Sequence, residues 1–130
     1  PGEHILLPEI FSKEPLGPVI LHGDDQWFEI IQWTLFAMLD AEENDVSSKN
    51  VDELKAGSNS TAHHRLLGAE GNVGKTLGLN KDWAYNIVKQ VGNYGEIFDR
   101  NLGPNTSVNL PRGLNNLWNK GGIQYPLPAR

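Results

Sequence analysis

The sequence predicts a mainly helical chain of α+β type, with short strands confined to its N-terminal end. Three observations predict it. From Asp24 onward, apolar residues recur at helical spacing in one long and several short segments. Helix-capping residues (Asp24 or Asp25, Asn50, Ser60 or Thr61, Asn80, Asn93) and closing glycines (Gly57, Gly68, Gly92, Gly103) bound those segments. Strand-length, β-branched runs occur only ahead of them, at His4–Leu7 and Val19–Leu21.

Pro8, Pro15 and Pro18 interrupt the first stretch, so its strands are short or lie at a sheet edge. Two isolated strands are marginal by themselves, and their sheet partners are expected upstream of this chain. The run from Asp25 to Asn44 follows, with Trp27, Ile31, Leu35 and Met38 on one face and Phe28 and Leu39 beside it. So wide a stripe predicts a helix buried along most of its length. Asn50 and Glu53 stand at capping-box spacing ahead of VDELKA. Ser60 or Thr61 starts AHHRLL, and Gly71–Leu79 is expected to be a turn or one turn of helix. Asn80 is expected to cap DWAYNIVKQV, whose inner face is Trp83, Ile87 and Val91 with Ala84 and Val88 next to it. Asn93 and Glu96 form a second capping-box pattern ahead of a short helix ending near Gly103. Pro111 suits the first turn of a last helix, PRGLNNLWNK, and the tail from Ile123 is extended.

Composition narrows the functional classes. The net charge is −5, which on average repels a phosphate backbone and argues against nucleic-acid binding. There is no cysteine, so disulfides, thiolate metal sites and cysteine nucleophiles are excluded. No apolar run approaches the roughly 18 residues of a membrane span.

The chemistry-bearing patterns each have a plainer explanation. Ala69–Thr76 (AEGNVGKT) matches a loose phosphate-loop pattern, but the residues before it look helical where such a loop needs a buried strand. A surface turn is the expected reading. His63 and His64 are adjacent, so on a helix their rings point about 100° apart and cannot share an ion. They are expected at the solvated surface, and no metal site or cofactor is assigned. Asp24 and Asp25 serve as caps, and Asp99 and Arg100 are a possible surface pair. No Gly-x-Ser-x-Gly elbow or other catalytic constellation is present, so no catalytic residue is assigned.

Several long strings carry a family resemblance. They are Leu6–Pro18 (LLPEIFSKEPLGP), His22–Phe28 (HGDDQWF), Leu66–Gly68 (LLG), Asp82–Phe98 (DWAYNIVKQVGNYGEIF), Arg112–Trp118 (RGLNNLW) and Gly121–Tyr125 (GGIQY). The chain resembles, over essentially its whole length, the C-terminal portion of the general L-amino-acid-binding proteins of bacterial polar amino-acid ABC transporters, in solute-binding protein family 3. The resemblance implies a two-lobed periplasmic binding protein in which an amino acid is held in the cleft between lobes. Residues 1–17 would then end lobe two. Residues 18–23 would be the returning hinge strand, with Pro18, Val19, Ile20, Leu21 and His22 as hinge residues. Residues 24–130 would form the C-terminal helical part of lobe one. The implied partners are an L-amino acid and the transporter's membrane permease, with no catalysis.

In such proteins an arginine clamps the ligand carboxylate and an acidic residue holds its ammonium. Arg65, Arg100 and Arg112 match none of those positions, which are expected upstream, so no substrate-binding residue is assigned. By itself the chain is expected to bind free amino acids weakly or not at all. Uncovered helix faces and an unpartnered strand edge would favour its self-association. Two other readings are a stand-alone α-helical interaction domain and, third in order, a small hydrolase using helix-borne carboxylates.

Overall fold

The structure, a computed structural model, describes residues 15–128 together with Ile5, Leu7, Glu9 and Ser12. Six α-helices follow one another: α1 (Asp25–Glu43), α2 (Val51–Gly57), α3 (Thr61–Leu66), α4 (Val73–Thr76), α5 (Trp83–Val91) and α6 (Tyr94–Asn101). Two 3₁₀ turns, Gly113–Asn115 and Trp118–Lys120, close the described chain. α1 is the central element, with α3, α5 and α6 packed against it and α2 against α3 and α5.

No strand forms among the described residues. The expected strand at His4–Leu7 falls largely outside them. The expected strand at Val19–Leu21 does not form: residues 15–21 run without regular structure, leaving Leu16, Val19 and Leu21 more than four-fifths exposed. The physical reason is the absence of any described segment whose backbone could pair with this one. Among the described residues a single parallel bridge joins Leu117 and Gln124.

α1 begins where expected. The Asp24 carboxylate accepts the Trp27 N–H at 3.0 Å and satisfies one of the free donors of the first turn. Its burial differs from the expectation. Only the C-terminal half enters the core, through Ala37, Leu39 and Ala41, while Trp27 and Phe28 stay half exposed. Residues 25–29 of the helix are all exposed, and the buried positions begin only at Ala37. Small residues at 37 and 41 let α5 and α6 approach closely.

The core joins Ala37, Ala41, Val46, Val51, Leu66, Leu67, Ala84 and Val88. Burial of each Val or Leu contributes on the order of 1.5–3 kcal/mol. On α5 the buried positions are Ala84 and Val88, one residue round from the expected Trp83–Ile87–Val91 face, and Val91 is exposed. Two caps also differ. Asn50 precedes α2 but accepts the Ser47 N–H at 2.7 Å and donates to the Asp45 carbonyl, bracing the loop instead of capping the helix. The Asn80 side chain accepts the Asp82 N–H, and α5 starts later, at Trp83.

The capping box of α6 forms as expected. The Asn93 side chain accepts the Glu96 N–H, and the Glu96 carboxylate accepts the Asn93 N–H, both at 2.9 Å. It also has a tertiary role. Asn93 Nδ2 donates to the buried Val46 carbonyl, and Glu96 accepts from the N–H and hydroxyl of Ser48. Burial pulls the Glu96 carboxyl upward, but the hydrogen bonds from the Ser48 hydroxyl and the N–H groups of Asn93 and Ser48 outweigh it and hold it below its ordinary value.

The expected helix from Pro111 does not form; the chain makes two 3₁₀ turns instead. Gly113 (φ +48°) and Gly121 (φ +85°) break helical geometry, and Leu117, fully buried, anchors the segment between them. The tail is tied to α1 by polar contacts. The Arg112 guanidinium donates to both Glu42 carboxylate oxygens, each at 3.0 Å, and stacks near the Tyr94 and Phe98 rings at 5.4 and 5.2 Å. The Trp118 indole N–H donates to Glu43 at 2.9 Å.

Candidate functional site

The best-formed concave feature among the described residues is a cavity of about 230 Å³ between α1, α3, α4 and α5. α1 supplies Trp33, Phe36 and Asp40, which recur at helical spacing on one face. Trp33 and Phe36 meet edge to face with ring centroids 5.7 Å apart. α5 supplies Trp83, and α3 and α4 supply Arg65 and Lys75.

The loop between α3 and α5 forms one wall, and its glycines have packing roles. At Gly68, φ is +84° and an added Cβ would lie 2.1 Å from the Lys81 carbonyl oxygen. At Gly74 an added Cβ would lie 2.6 Å from Trp83 Cδ1 and 2.7 Å from the Asn80 carbonyl oxygen. Gly68, just ahead of the AEGNVGKT segment, and Gly74 within it therefore let the backbone sit against α5 and its approach. A helix, not a strand, precedes the segment, and α4 is a single turn. The expected one-turn structure is present, and the phosphate-loop context is not.

Asp40 is the chemically unusual group. Burial pushes its carboxyl up to about 6, and the neighbouring Glu43 adds to the rise; the Asn44 hydrogen bond and His63 act the other way. Oδ1 accepts from Asn44 Nδ2 at 3.0 Å, and Oδ2 has no hydrogen-bond partner among the described residues. No lysine or arginine pairs with it there. Sequence reading placed α1's aromatics in a core and passed over Asp40. The available signal was an acid lying on the same helical face as Trp33 and Phe36.

The histidines depart from the solvated surface expected of them. His63 is half-buried, with Nδ1 2.6 Å from the Ser58 hydroxyl and Nε2 3.0 Å from the Asn44 carbonyl. His64 Nε2 lies 2.6 Å from the Ser58 carbonyl. They brace the turn before α3, and no cluster suited to a metal ion occurs among the described residues. Arg100 donates to the Val91 carbonyl through both terminal nitrogens at 3.1 Å and forms no ion pair with Asp99. Arg112 is committed to Glu42, so neither guanidinium is free for a ligand. Pro18, Val19, Ile20, Leu21 and His22, expected to serve as a hinge, lie on the mostly exposed segment ahead of α1 and do not line the cavity.

No protein-family model matches the chain. Individual proteins match it closely, over its whole length. It is 58% identical over 130 residues to YhdW of Escherichia coli (strain K12), whose name describes an amino-acid ABC transporter-binding protein. It is 55% identical over 132 aligned residues to the general L-amino acid-binding periplasmic protein AapJ of Rhizobium johnstonii. A solved structure, an ABC transporter / periplasmic binding protein from Brucella ovis with glutathione bound, superposes with a TM-score of 0.87 at 50% identity over 95% of this chain. The chain spans 38% of the length of each of these two relatives and 39% of the solved chain. It thus matches the C-terminal part of amino-acid ABC transporter-binding proteins.

Proposed function

We propose that this chain is the C-terminal part of a periplasmic solute-binding protein that captures L-amino acids and delivers them to the permease of an ABC transporter. The observation that carries the reading is 58% identity sustained across all 130 residues. On this reading residues 1–17 end lobe two, residues 18–23 form the hinge strand, and residues 24–130 form helical structure of lobe one. Pro18 to His22 act as the hinge and carry no chemistry. Two features of the surface support the division. Leu16, Val19 and Leu21 lie bare on a segment without regular structure, as the side chains of a crossing strand would without the sheet it joins. Trp27 and Phe28 lie half exposed on the first turn of α1, immediately after that segment.

The transport reading involves reversible capture and no catalysis. Closure of two lobes about the hinge would enclose the ligand. The relatives differ in what their descriptions say they bind, general L-amino acids in one and glutathione in another. Both ligands carry an α-ammonium and an α-carboxylate on one carbon. A buried zwitterion needs each charge paired, so a cleft that satisfies this head group can accept different side chains.

The test is calorimetric titration with a panel of L-amino acids and glutathione, run on this chain alone and on the longer gene product that contains it. Micromolar capture is expected only in the longer protein. Micromolar binding by the 130-residue chain, or no binding by the longer protein, would overturn the reading. The bare segment at 15–21 should make the isolated chain self-associate, which sedimentation would detect.

A further inference from the structure

We propose that an open groove between the C-terminal half of α1 and the tail is a docking face for a protein segment that presents an arginine between aliphatic residues. The guanidinium meets Asp40 and Glu43, and the flanking side chains lie on Trp118 and Tyr125. The face is built by this chain alone and is independent of the transport reading.

The groove has a volume of about 830 Å³, bordered by Asp40 and Glu43 on α1 and by Trp118, Tyr125, Pro126 and Pro128 on the tail. Trp118 and Tyr125 are 58% and 62% exposed, and Ile123 and Leu127, two residues to either side of Tyr125, are exposed as well. Folding does not explain these bare side chains, because other groups anchor the segment. Leu117 and Pro126 are its buried residues. Its backbone is fixed where the Ile123 N–H donates to the Leu114 carbonyl at 3.0 Å, the Gln124 N–H to the Asn116 carbonyl at 3.1 Å and the Trp118 N–H to the Gln124 carbonyl at 2.8 Å. The Trp118 indole is itself held by Glu43. A Trp and a Tyr fixed in this way lose little freedom when a partner covers them, and such residues anchor protein interfaces.

Charge names the partner. The two bordering carboxylates are half-buried, no lysine or arginine lines the groove, and neither acid forms an ion pair among the described residues. They also sense each other. Glu43 adds to the rise that burial gives the Asp40 carboxyl, opposed only by the Asn44 hydrogen bond and His63. A cation placed there relieves both. Arginine suits the groove better than lysine, because a planar guanidinium pairs with carboxylates and also stacks on indole and phenol rings. A groove this open cannot enclose a small cation, but a chain segment can lie across it. The carboxylates repel nucleic acid and anionic lipid. A second copy docked through the same face would bring its own Asp40 and Glu43 into the interface.

The experiment is an NMR titration of the 130-residue chain, following the indole N–H resonance of Trp118 with that of Trp27 as an internal control. The probe is the peptide acetyl-Leu-Arg-Leu-amide. It is compared with peptides carrying Gln or Glu in place of Arg, and with one carrying Gly in place of both Leu. The arginine peptide is expected to shift Trp118 saturably and to leave Trp27 in place. Loss of the positive charge, or of the aliphatic flanks, should each weaken binding about tenfold. Glu43→Gln keeps an acceptor for the indole but removes the charge, and should bring the Arg and Gln peptides to near parity. Tyr125 is exposed, so Tyr125→Ala tests the face even if Glu43→Gln fails to fold; it should weaken the Arg and Gln peptides alike. Asp99→Asn should change nothing. The proposal is overturned if the arginine peptide gives no saturable shift, if the Glu or glycine-flanked peptide binds as well, or if both variants keep full affinity. Movement of Trp118 on dilution without peptide would make a second copy the occupant. Binding seen only in Arg130→Gln would make the chain's own end the occupant. The same shift is expected in the longer gene product, and a Trp118 resonance there that ignores the peptide would mean that the remaining polypeptide covers the groove. Each of these three outcomes also overturns the proposal.

Discussion

Replacing Arg112 with leucine should destabilise the chain by about 3 kcal/mol or more. The guanidinium makes two parallel hydrogen bonds to Glu42, both at 3.0 Å, and the paired side chains are only 16% and 10% exposed. Hydrogen bonds to charged groups contribute about 1.5–3 kcal/mol each, and this pair is shielded from most of the water that weakens surface pairs. Arg112→Leu also leaves the Glu42 carboxylate unpaired where hydration is poor, and that penalty dominates. The loss extends to the tail, because Arg112 donates to the Asn115 carbonyl at 2.9 Å and stacks near Tyr94 and Phe98. Removing both charges together, in Glu42→Leu/Arg112→Leu, should recover most of the loss, since no charge is then stranded. Urea unfolding followed by circular dichroism gives the midpoint and slope for parent, both single variants and the double variant. A coupling energy below about 1 kcal/mol from this cycle would refute the reasoning and reduce the pair to an exposed salt bridge.

Asn93→Ala should cost about 2–3 kcal/mol, beyond the ~1 kcal/mol of an ordinary cap, because the buried Val46 carbonyl loses its donor as well; urea unfolding measures it, and a loss confined to ~1 kcal/mol would limit Asn93 to capping. Asp40 sets a pH dependence. Its carboxyl titrates near 6 when folded against 3.8 as a free group, so its contribution is complete below about 3.8 and is lost as pH rises through about 6. Asp40→Asn should therefore gain on the order of 1–2 kcal/mol over the parent at neutral pH, after allowing for the water that still reaches the group, and the gain should shrink toward pH 4. Thermal melts across that window check this, and a difference independent of pH would refute it.

The helical elements were largely legible because local signals specify them. Asp24 and Asn93 with Glu96 act through contacts a few residues apart. The last helix was misread because Pro111 is a permissive start signal, whereas Leu117 and the positive-φ glycines depend on what the tail packs against. The candidate cavity was not legible at all. Its wall joins Asp40, Arg65, Lys75 and Trp83 from four elements, and no spacing rule connects them. The AEGNVGKT glycines drew attention for phosphate chemistry, but Gly74 is small because Trp83 lies against it.

The sequence by itself determined that the chain is mainly helical, where most helices start, and which proteins it resembles. Capping and turn preferences are short-range, and long identical strings rarely arise by chance. Tertiary structure alone decided which half of α1 is buried, which face of α5 turns inward, and that Asp40 sits in an aromatic cavity while Arg112 is committed to Glu42. Those outcomes depend on how neighbouring elements compete for the same apolar surface and exclude water from the same charges. Periodicity shows that a helix has an apolar side, and packing decides how much of that side is covered.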